Sequence, residues 1–299
     1  MKRRDILAGF LAGTGFAAAN GYLWQQAVNI TPEEFGDESL ASTDFSQPLQ
    51  IEPESDSETI TPTTNVDKVR FFEDDFSDDI FLPETQQPLL TSVLLRMERV
   101  QRITGHGNYN LLSFDEMIKV ARNYSSVGSF EKSELEFMEK VFFTNASEYG
   151  FLGDKVTNEL TEKIKKADTY KVPYSGHYLF KNESLAYYEK LKSDVGSSII
   201  LTSGIRSNVK QMHLFLAKCS KSSFNLSKAS RSLAPPGHSY HGIGDFDVGK
   251  VGYGAANFTD EFAKTDEFKR MLDLGYVQIR YTEDNRLGVR FEPWHIKVV

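Results

Sequence analysis

Hydrophobic positions along the chain fall into three regimes. Between about Leu89 and Lys166 they recur at helical spacing; Leu135, Met138, Val141 and Phe142 share one helical face. Ser113-Phe114-Asp115-Glu116 and Ser133-Glu134-Leu135-Glu136 both fit the capping box, in which a side chain at each end satisfies an orphan amide. Asp154 to Lys166 reads as a third, more polar helix. From Val172 the pattern is mixed. Ser184 to Val195 predicts a helix stopped by Gly196, and Ser198-Ile199-Ile200-Leu201-Thr202 predicts a short buried strand. That strand leads into Ser203-Gly204-Ile205-Arg206-Ser207 and then a helix through Lys218. Thr265 is expected to cap a helix over Asp266 to Leu274, with Gly275 as its stop. Tyr276 to Tyr281 and Leu287 to Ile296 are expected to pair as a hairpin around Thr282-Glu283-Asp284-Asn285. The implied class is α+β, a small antiparallel sheet with flanking helices preceded by an α-helical region.

Before Leu89 no apolar period persists. Sixteen acidic residues stand against Lys68 and Arg70 between Thr31 and Leu90, a net of −14 in a chain whose total is −8, so the remainder carries +6. A stretch of this kind cannot bury enough apolar surface to offset the entropy of ordering. Residues 25–88 are therefore expected to be a disordered, self-repelling acidic linker. Phe71, Phe72 and Phe76, set among its aspartates, are candidates for docking on a partner, with solvated disorder the preferred reading.

Residues 1–24 have the form of an export signal or N-terminal anchor. Lys2-Arg3-Arg4 is a basic head, Ile6 to Ala19 is uncharged and mostly apolar, and Ala17-Ala18-Ala19 is a small-residue cleavage site. The paired arginines before Ile6-Leu7 resemble a twin-arginine signal, although Lys2 stands where that signal usually has Ser or Thr. An apolar run ending at Trp24 is short for a membrane-spanning helix. The expected location is accordingly the periplasm or cell envelope, with membrane contact only through this segment if it is not cleaved.

Composition narrows the chemistry. With 299 residues, 40% of them hydrophobic, the chain can bury at least one sizeable core. Its single cysteine, Cys219, excludes an intramolecular disulfide and a cysteine-rich zinc cluster; it reads as a small buried side chain. No nucleic-acid partner is expected. The helical region, residues 89–170, carries no catalytic constellation, and His106 reads as a loop histidine. The chemistry concentrates in residues 171–299. Pro235-Pro236-Gly237-His238-Ser239-Tyr240-His241-Gly242-Ile243-Gly244-Asp245-Phe246-Asp247 sets imidazoles and carboxylates among glycines. Glu292-Pro293-Trp294-His295 adds an imidazole with a carboxylate three residues before it. Two histidines, an aspartate and a separate glutamate are what a hydrolytic zinc site requires: three ligands leave the fourth position to water, and the glutamate takes its proton.

Ser239-x-His241-x-x-Gly244 with Asp247, together with Glu292-x-Trp294-His295, resembles the motifs of the D-alanyl-D-alanine carboxypeptidase (VanY-type) zinc peptidases, which share a fold with the hedgehog signalling domain. Ser203-Gly204-Ile205-Arg206-Ser207 with Gln211 resembles a third motif of that family, and all three occur in the family's order over about residues 172–299. The resemblance implies one Zn2+ held by His241, Asp247 and His295, with Glu292 as general base. It further implies Arg206 gripping a substrate carboxylate, since guanidinium pairs bidentately with carboxylate, and Gln211 and Ser239 helping to bind substrate. One departure stands out. The family has seven residues from histidine to aspartate, whereas His241 to Asp247 is six. Asp245 as ligand, His238 in place of His241, and a deletion absorbed in the loop are the alternatives. His238 lacks the serine and glycine that flank His241, so His241 and Asp247 are preferred. His213 is read as a packing residue, and His177 as a residue that could line the cleft but is not counted in the site. The expected activity is zinc-dependent removal of a terminal D-amino acid from peptidoglycan stem peptides. A cross-bridge endopeptidase of the same family and a non-catalytic zinc-stabilised wall-binding module are the alternatives.

Overall fold

The computed structural model describes residues 65–181 and 183–299, so the expected export segment and residues 25–64 of the expected linker lie outside it. Helices α1 (Asn65–Arg70), α2 (Gln87–Thr104), α3 (His106–Tyr109), α4 (Phe114–Asn123) and α5 (Lys132–Phe143) precede a two-stranded hairpin of β1 (Thr169–Lys171) and β2 (Tyr178–Phe180). Then follow α6 (Glu183–Val195), β3 (Ile199–Ser203), α7 (Asn208–Lys221), α8 (Leu226–Ser232), β4 (Phe246–Lys250), α9 (Asp266–Asp273) and β5 (His295–Ile296). The mixture of helices with small antiparallel sheets is α+β. Among the described residues, no helix is long and apolar enough to cross a membrane.

Two apolar cores flank the functional region. The first takes Leu90, Val93, Leu94, Met97 and Val100 from one stripe of α2, adds Met117, Met138 and Phe142 from α4 and α5, and closes on Val209, Met212, Phe215 and Leu216 of α7. Cys219 is part of it, as expected, and burial pushes its thiol up to about 12. The second core lies under the three-stranded sheet, where Leu201, Phe246, Val248, Trp294 and Ile296 pack with Leu191 of α6 and Phe268 and Met271 of α9. The helices before residue 170 thus share a core with α7 of the C-terminal part. They do not form a layer separable at residue 171, because the apolar stripe of α2 has α7 as its partner.

The sheet has the order β3-β4-β5, antiparallel throughout. Because side chains alternate along strands, Phe246 and Ile296 face the lower core while Asp247 and His295 share the opposite face. A shift in register between Leu201 and Ser203 brings Ser203 opposite Asp247 as well.

Local expectations meet mixed outcomes. Ser113 and Glu116 form the expected capping box, and Thr265 caps α9. The next helix starts earlier than predicted: Glu134, not Glu136, accepts the Glu131 N–H at 2.7 Å, and it also pairs with Arg96 at 3.2 Å. Asp154 to Lys166 is not a helix. Although Val156, Leu160 and Ile164 recur at helical spacing, the backbone is irregular, with the Val156 and Thr157 N–H groups donating to the Gly237 carbonyl at 2.8 and 3.0 Å. Gly237 has φ +85°, a region that favours glycine. The predicted terminal hairpin pairs only through its ends, by Arg280 N–H to His295 O, Glu292 N–H to Tyr281 O and Lys297 N–H to Gln278 O.

The largest difference concerns residues 65–88, expected to be linker. They are ordered against α7 and α8. The Asp79 carboxylate, fully enclosed, receives Arg231 Nη1 at 2.7 Å and Nη2 at 3.0 Å, and Asn225 Nδ2 at 2.7 Å. Glu73 pairs with Lys218 at 2.7 Å and Asp75 with Lys228 at 3.3 Å. Phe72 and Phe76 lie under the guanidinium groups of Arg290 and Arg231, at 4.7 and 4.8 Å. Acidic residues that repel one another in isolation are here neutralised by basic residues about 150 positions away.

Candidate metal centre

Three loops converge above the sheet. The end of β3 passes so close to the β1–β2 hairpin that a Cβ on Gly204 would lie 2.1 Å from the Tyr178 carbonyl oxygen, and Ile205 N–H donates to that same oxygen at 2.8 Å. Only glycine permits this approach. The Gly204 carbonyl meets His241 Nδ1 at 2.8 Å, while Arg206 N–H donates to the His241 carbonyl at 3.3 Å. These contacts lace the Ser203–Ser207 segment to the turn Tyr240–Gly242 that carries His241.

The sheet register then brings the remaining donors together. One donor atom from each of His241, Asp247 and His295 lies within 4.8 Å of the others, and all three residues are buried. His241 Nε2 is 3.2 Å from Asp247 Oδ1, and His295 Nδ1 is 3.4 Å from the same oxygen. Glu292 Oε2 lies 3.3 Å from His295 Nδ1. The two imidazoles pack edge to face with centroids 4.7 Å apart.

Electrostatics fit a cation at this point. Burial alone would raise the Asp247 carboxyl, but the charges of His241 and Arg206 beside it hold it well below the usual carboxylate range. Burial and the nearby Arg206 charge lower His241. His295 moves the other way: burial opposes its charging, yet hydrogen bonds to Asp245 and Glu292 and the charge of Asp247 raise it to about 9. Binding a metal at such an imidazole would release its proton. His241 Nε2 and Asp247 Oδ1 are buried with no hydrogen-bond partner. Since buried polar atoms are nearly always paired, two such atoms facing each other at the meeting point of two imidazoles and a carboxylate suit a metal ion.

The alternatives weighed from spacing have other partners. His238 Nδ1 lies 3.2 and 3.0 Å from the carbonyls of Gly153 and Asp154 and its ring packs on Phe151. Asp245 is occupied by Arg280 and His295 Nε2.

Arg206 is found in a role beyond the expected one. Its Nη2 donates to Asp247 Oδ2 at 2.5 Å and its Nε to Ser203 Oγ at 2.8 Å, so it orients the carboxylate from behind while 13% of its side chain stays exposed. Gln211, expected near substrate, is buried; its Nε2 donates to the Ala234 carbonyl at 2.6 Å and braces the loop leading to His241. Ser239 is buried just before that turn, its carbonyl accepting the Gly242 N–H at 3.0 Å.

His213 packs edge-on against Tyr109, and burial lowers it to about 3, in keeping with a packing role. His177, allowed by the sequence as a cleft residue, is buried within electrostatic reach of Arg206, Asp247 and His241. Its Nδ1 is 3.4 Å from Asn110 Nδ2, and burial together with the charges of Arg206 and Lys210 lowers it to about 3, which keeps the ring neutral. Asn110 in turn accepts the Ser207 N–H at 2.8 Å through its carbonyl, so the helical region contributes a wall beside Arg206. No sequence motif marks Asn110; only its place in the fold does.

A family model described as VanY: D-alanyl-D-alanine carboxypeptidase aligns with the part of the chain that holds every one of these donors. Residues 179–299 match the VanY family. The resemblance read from three motifs is thereby shown over this segment. No curated protein matches the chain. Among solved structures, the chain has a likeness to the LdcB LD-carboxypeptidase, at 24% identity and TM-score 0.36, covering 44% of this chain and 63% of that one. A vancomycin resistance D,D-pentapeptidase VanY in complex with Zn(II) is similar at 18% identity and TM-score 0.37, over 50% of this chain and 88% of that one. VanYB in complex with D-alanine-D-alanine is similar at 18% identity and TM-score 0.37, over 50% and 86%.

Proposed function

We propose that the protein is an exported zinc-dependent D,D-carboxypeptidase that hydrolyses the C-terminal D-amino acid bond of peptidoglycan stem peptides. The observation that carries this reading is the cluster of His241, Asp247 and His295 with Glu292 beside it, inside a segment that matches the VanY family. Export rests on the character of residues 1–24 alone.

His241 through Nε2, Asp247 through Oδ1 and His295 through Nδ1 are the atoms that would hold the zinc. When bound, zinc lowers the pKa of a coordinated water to about 7 and polarises the scissile carbonyl. The protein supplies the rest. Glu292 is a carboxylate not needed as a ligand, placed at the edge of the cluster, and it takes the proton of the attacking water. Water adds to the carbonyl carbon, the C–N bond breaks, and Glu292 returns the proton to the departing amine. Arg206 presents a partly exposed guanidinium beside the centre, suited to the free carboxylate of a peptide C-terminus.

Incubating the purified protein with defined muropeptides and weighing the products tests the reading. Loss of a single terminal D-alanine from pentapeptides is expected. Cleavage of cross-bridges alone would make it an endopeptidase, and zinc binding with no turnover on any wall peptide would make it a binding module.

A further inference from the structure

Asp245 is the most heavily engaged carboxylate near the centre, and the function above gives it no task. Its side chain is wholly enclosed. Arg280 grips both oxygens, Nε to Oδ2 at 2.7 Å and Nη2 to Oδ1 at 3.1 Å. The N–H groups of Val298 and Val299 donate to Oδ1 at 2.8 and 3.3 Å. Oδ2 also lies 3.1 Å from His295 Nε2. Enclosing a charge is costly unless it is paired and hydrogen-bonded, and this one is fully provided for.

The arrangement has a direction. Asp245 and Asp247 are two residues apart and so project to the same face, and His295 lies between them. Asp245 takes one ring nitrogen, Nε2, while Asp247 and Glu292 face the other, Nδ1, at 3.4 and 3.3 Å. An imidazole can offer a metal only one nitrogen, and the group bonded to the other nitrogen sets which. A carboxylate accepts but cannot donate. It therefore requires the proton on Nε2 and leaves the lone pair on Nδ1, on the side of His241 and Asp247. Arg280 extends the control to the second histidine. Its guanidinium lies 3.6 Å from the ring centroid of Tyr240, the residue before His241, so one side chain touches both the turn that carries His241 and the carboxylate that orients His295.

We infer that Asp245, clamped by Arg280, is a positioning residue that fixes the Nε2–H tautomer of His295 and so aims Nδ1 at the metal. This rests on the zinc reading above.

The test is a competition titration with zinc and a chromophoric chelator on the full chain, together with nitrogen-15 spectra of the zinc-loaded protein. Wild type should bind one zinc, with His295 metallated at Nδ1 and a slowly exchanging proton on Nε2. Asp245→Asn should raise the zinc dissociation constant about 10- to 100-fold, the range usual for lost outer partners of a ligand, and should lose the slow Nε2 proton. Arg280→Lys, which keeps a positive charge but loses the two-point grip, should shift the affinity the same way by less; it carries the test if Asp245→Asn does not fold. Wild-type zinc affinity together with a retained Nε2 proton in the Asp245→Asn protein would overturn the inference. So would loss of all zinc from Asp245→Ala while Asp247→Ala keeps one, since Asp245 would then be a ligand. A wild type that binds no zinc at all overturns the metal centre itself, and the inference with it.

Discussion

Asp247 and His295 lie directly opposite each other in the antiparallel pairing of β4 with β5, and their facing atoms are 3.4 Å apart. Two donors far apart in the sequence are thus made neighbours by backbone hydrogen bonds alone. The ligand set is as fixed as the strand register, because a slip of one residue would turn Asp247 into the lower core.

Removal of any of the three donors should abolish metal binding. His241→Ala, Asp247→Ala and His295→Ala are each expected to fall from about one zinc per chain to none, as measured by elemental analysis after dialysis. A full zinc complement in His295→Ala would remove that residue from the set.

Glu292→Gln separates the proton's path from the metal's. The amide keeps the shape but cannot accept a proton, so zinc content and unfolding temperature should hold while kcat falls by ~10²–10⁴. Wild-type turnover in this variant would refute the role.

Arg206 holds Asp247, and in the proposed function it also binds the carboxylate of the substrate. Arg206→Lys should lower kcat/KM on peptides with a free C-terminus by about 10- to 100-fold, the scale of one lost charge-assisted hydrogen bond, and should change amidated peptides less. Equal losses on both substrates would confine Arg206 to holding Asp247.

Much of the site was legible because it lies in three short motifs, each bound to an element the apolar pattern also marked. Ile199 to Ser203 is a strand, Ser207 caps α7, and His241, Asp247 and His295 meet. What could not be read depends on partners distant in sequence. The acidity between Thr31 and Leu90 predicted disorder through residue 88, yet Glu73, Asp75 and Asp79 find Lys218, Lys228 and Arg231. Asp154 to Lys166 has helix-forming residues and Val156, Leu160 and Ile164 at helical spacing, yet the N–H groups of Val156 and Thr157 pair with the distant Gly237 carbonyl instead. Asp245 was visible only as a rival ligand, because nothing local shows that Arg280 would claim it.

The acidic strap yields a stability prediction. Asp79→Ala leaves Arg231, 5% exposed, without its carboxylate and should cost ~3–5 kcal/mol, read as a lower unfolding midpoint at pH 7. Burial works against ionising Asp79, but bonds from Arg231 and Asn225 hold its carboxyl below the ordinary range. With the folded value the lower, its stabilisation is complete above about pH 4, the unfolded carboxylate value, and is lost as the pH falls further. The gap between wild type and variant should therefore narrow in acid. Equal midpoints at pH 7 would show that the pair contributes nothing.

The meeting of Gly204, His241 and His295 from places tens of residues apart also bears on how the chain matures. His241 and His295 are 54 positions apart and are brought together by strand pairing, so the centre has no local precursor and needs the sheet formed. An ion that recognises only the finished arrangement draws the folding equilibrium forward by mass action. If the centre holds zinc as proposed, the refolding yield should rise with zinc supplied during refolding and fall with a chelator present.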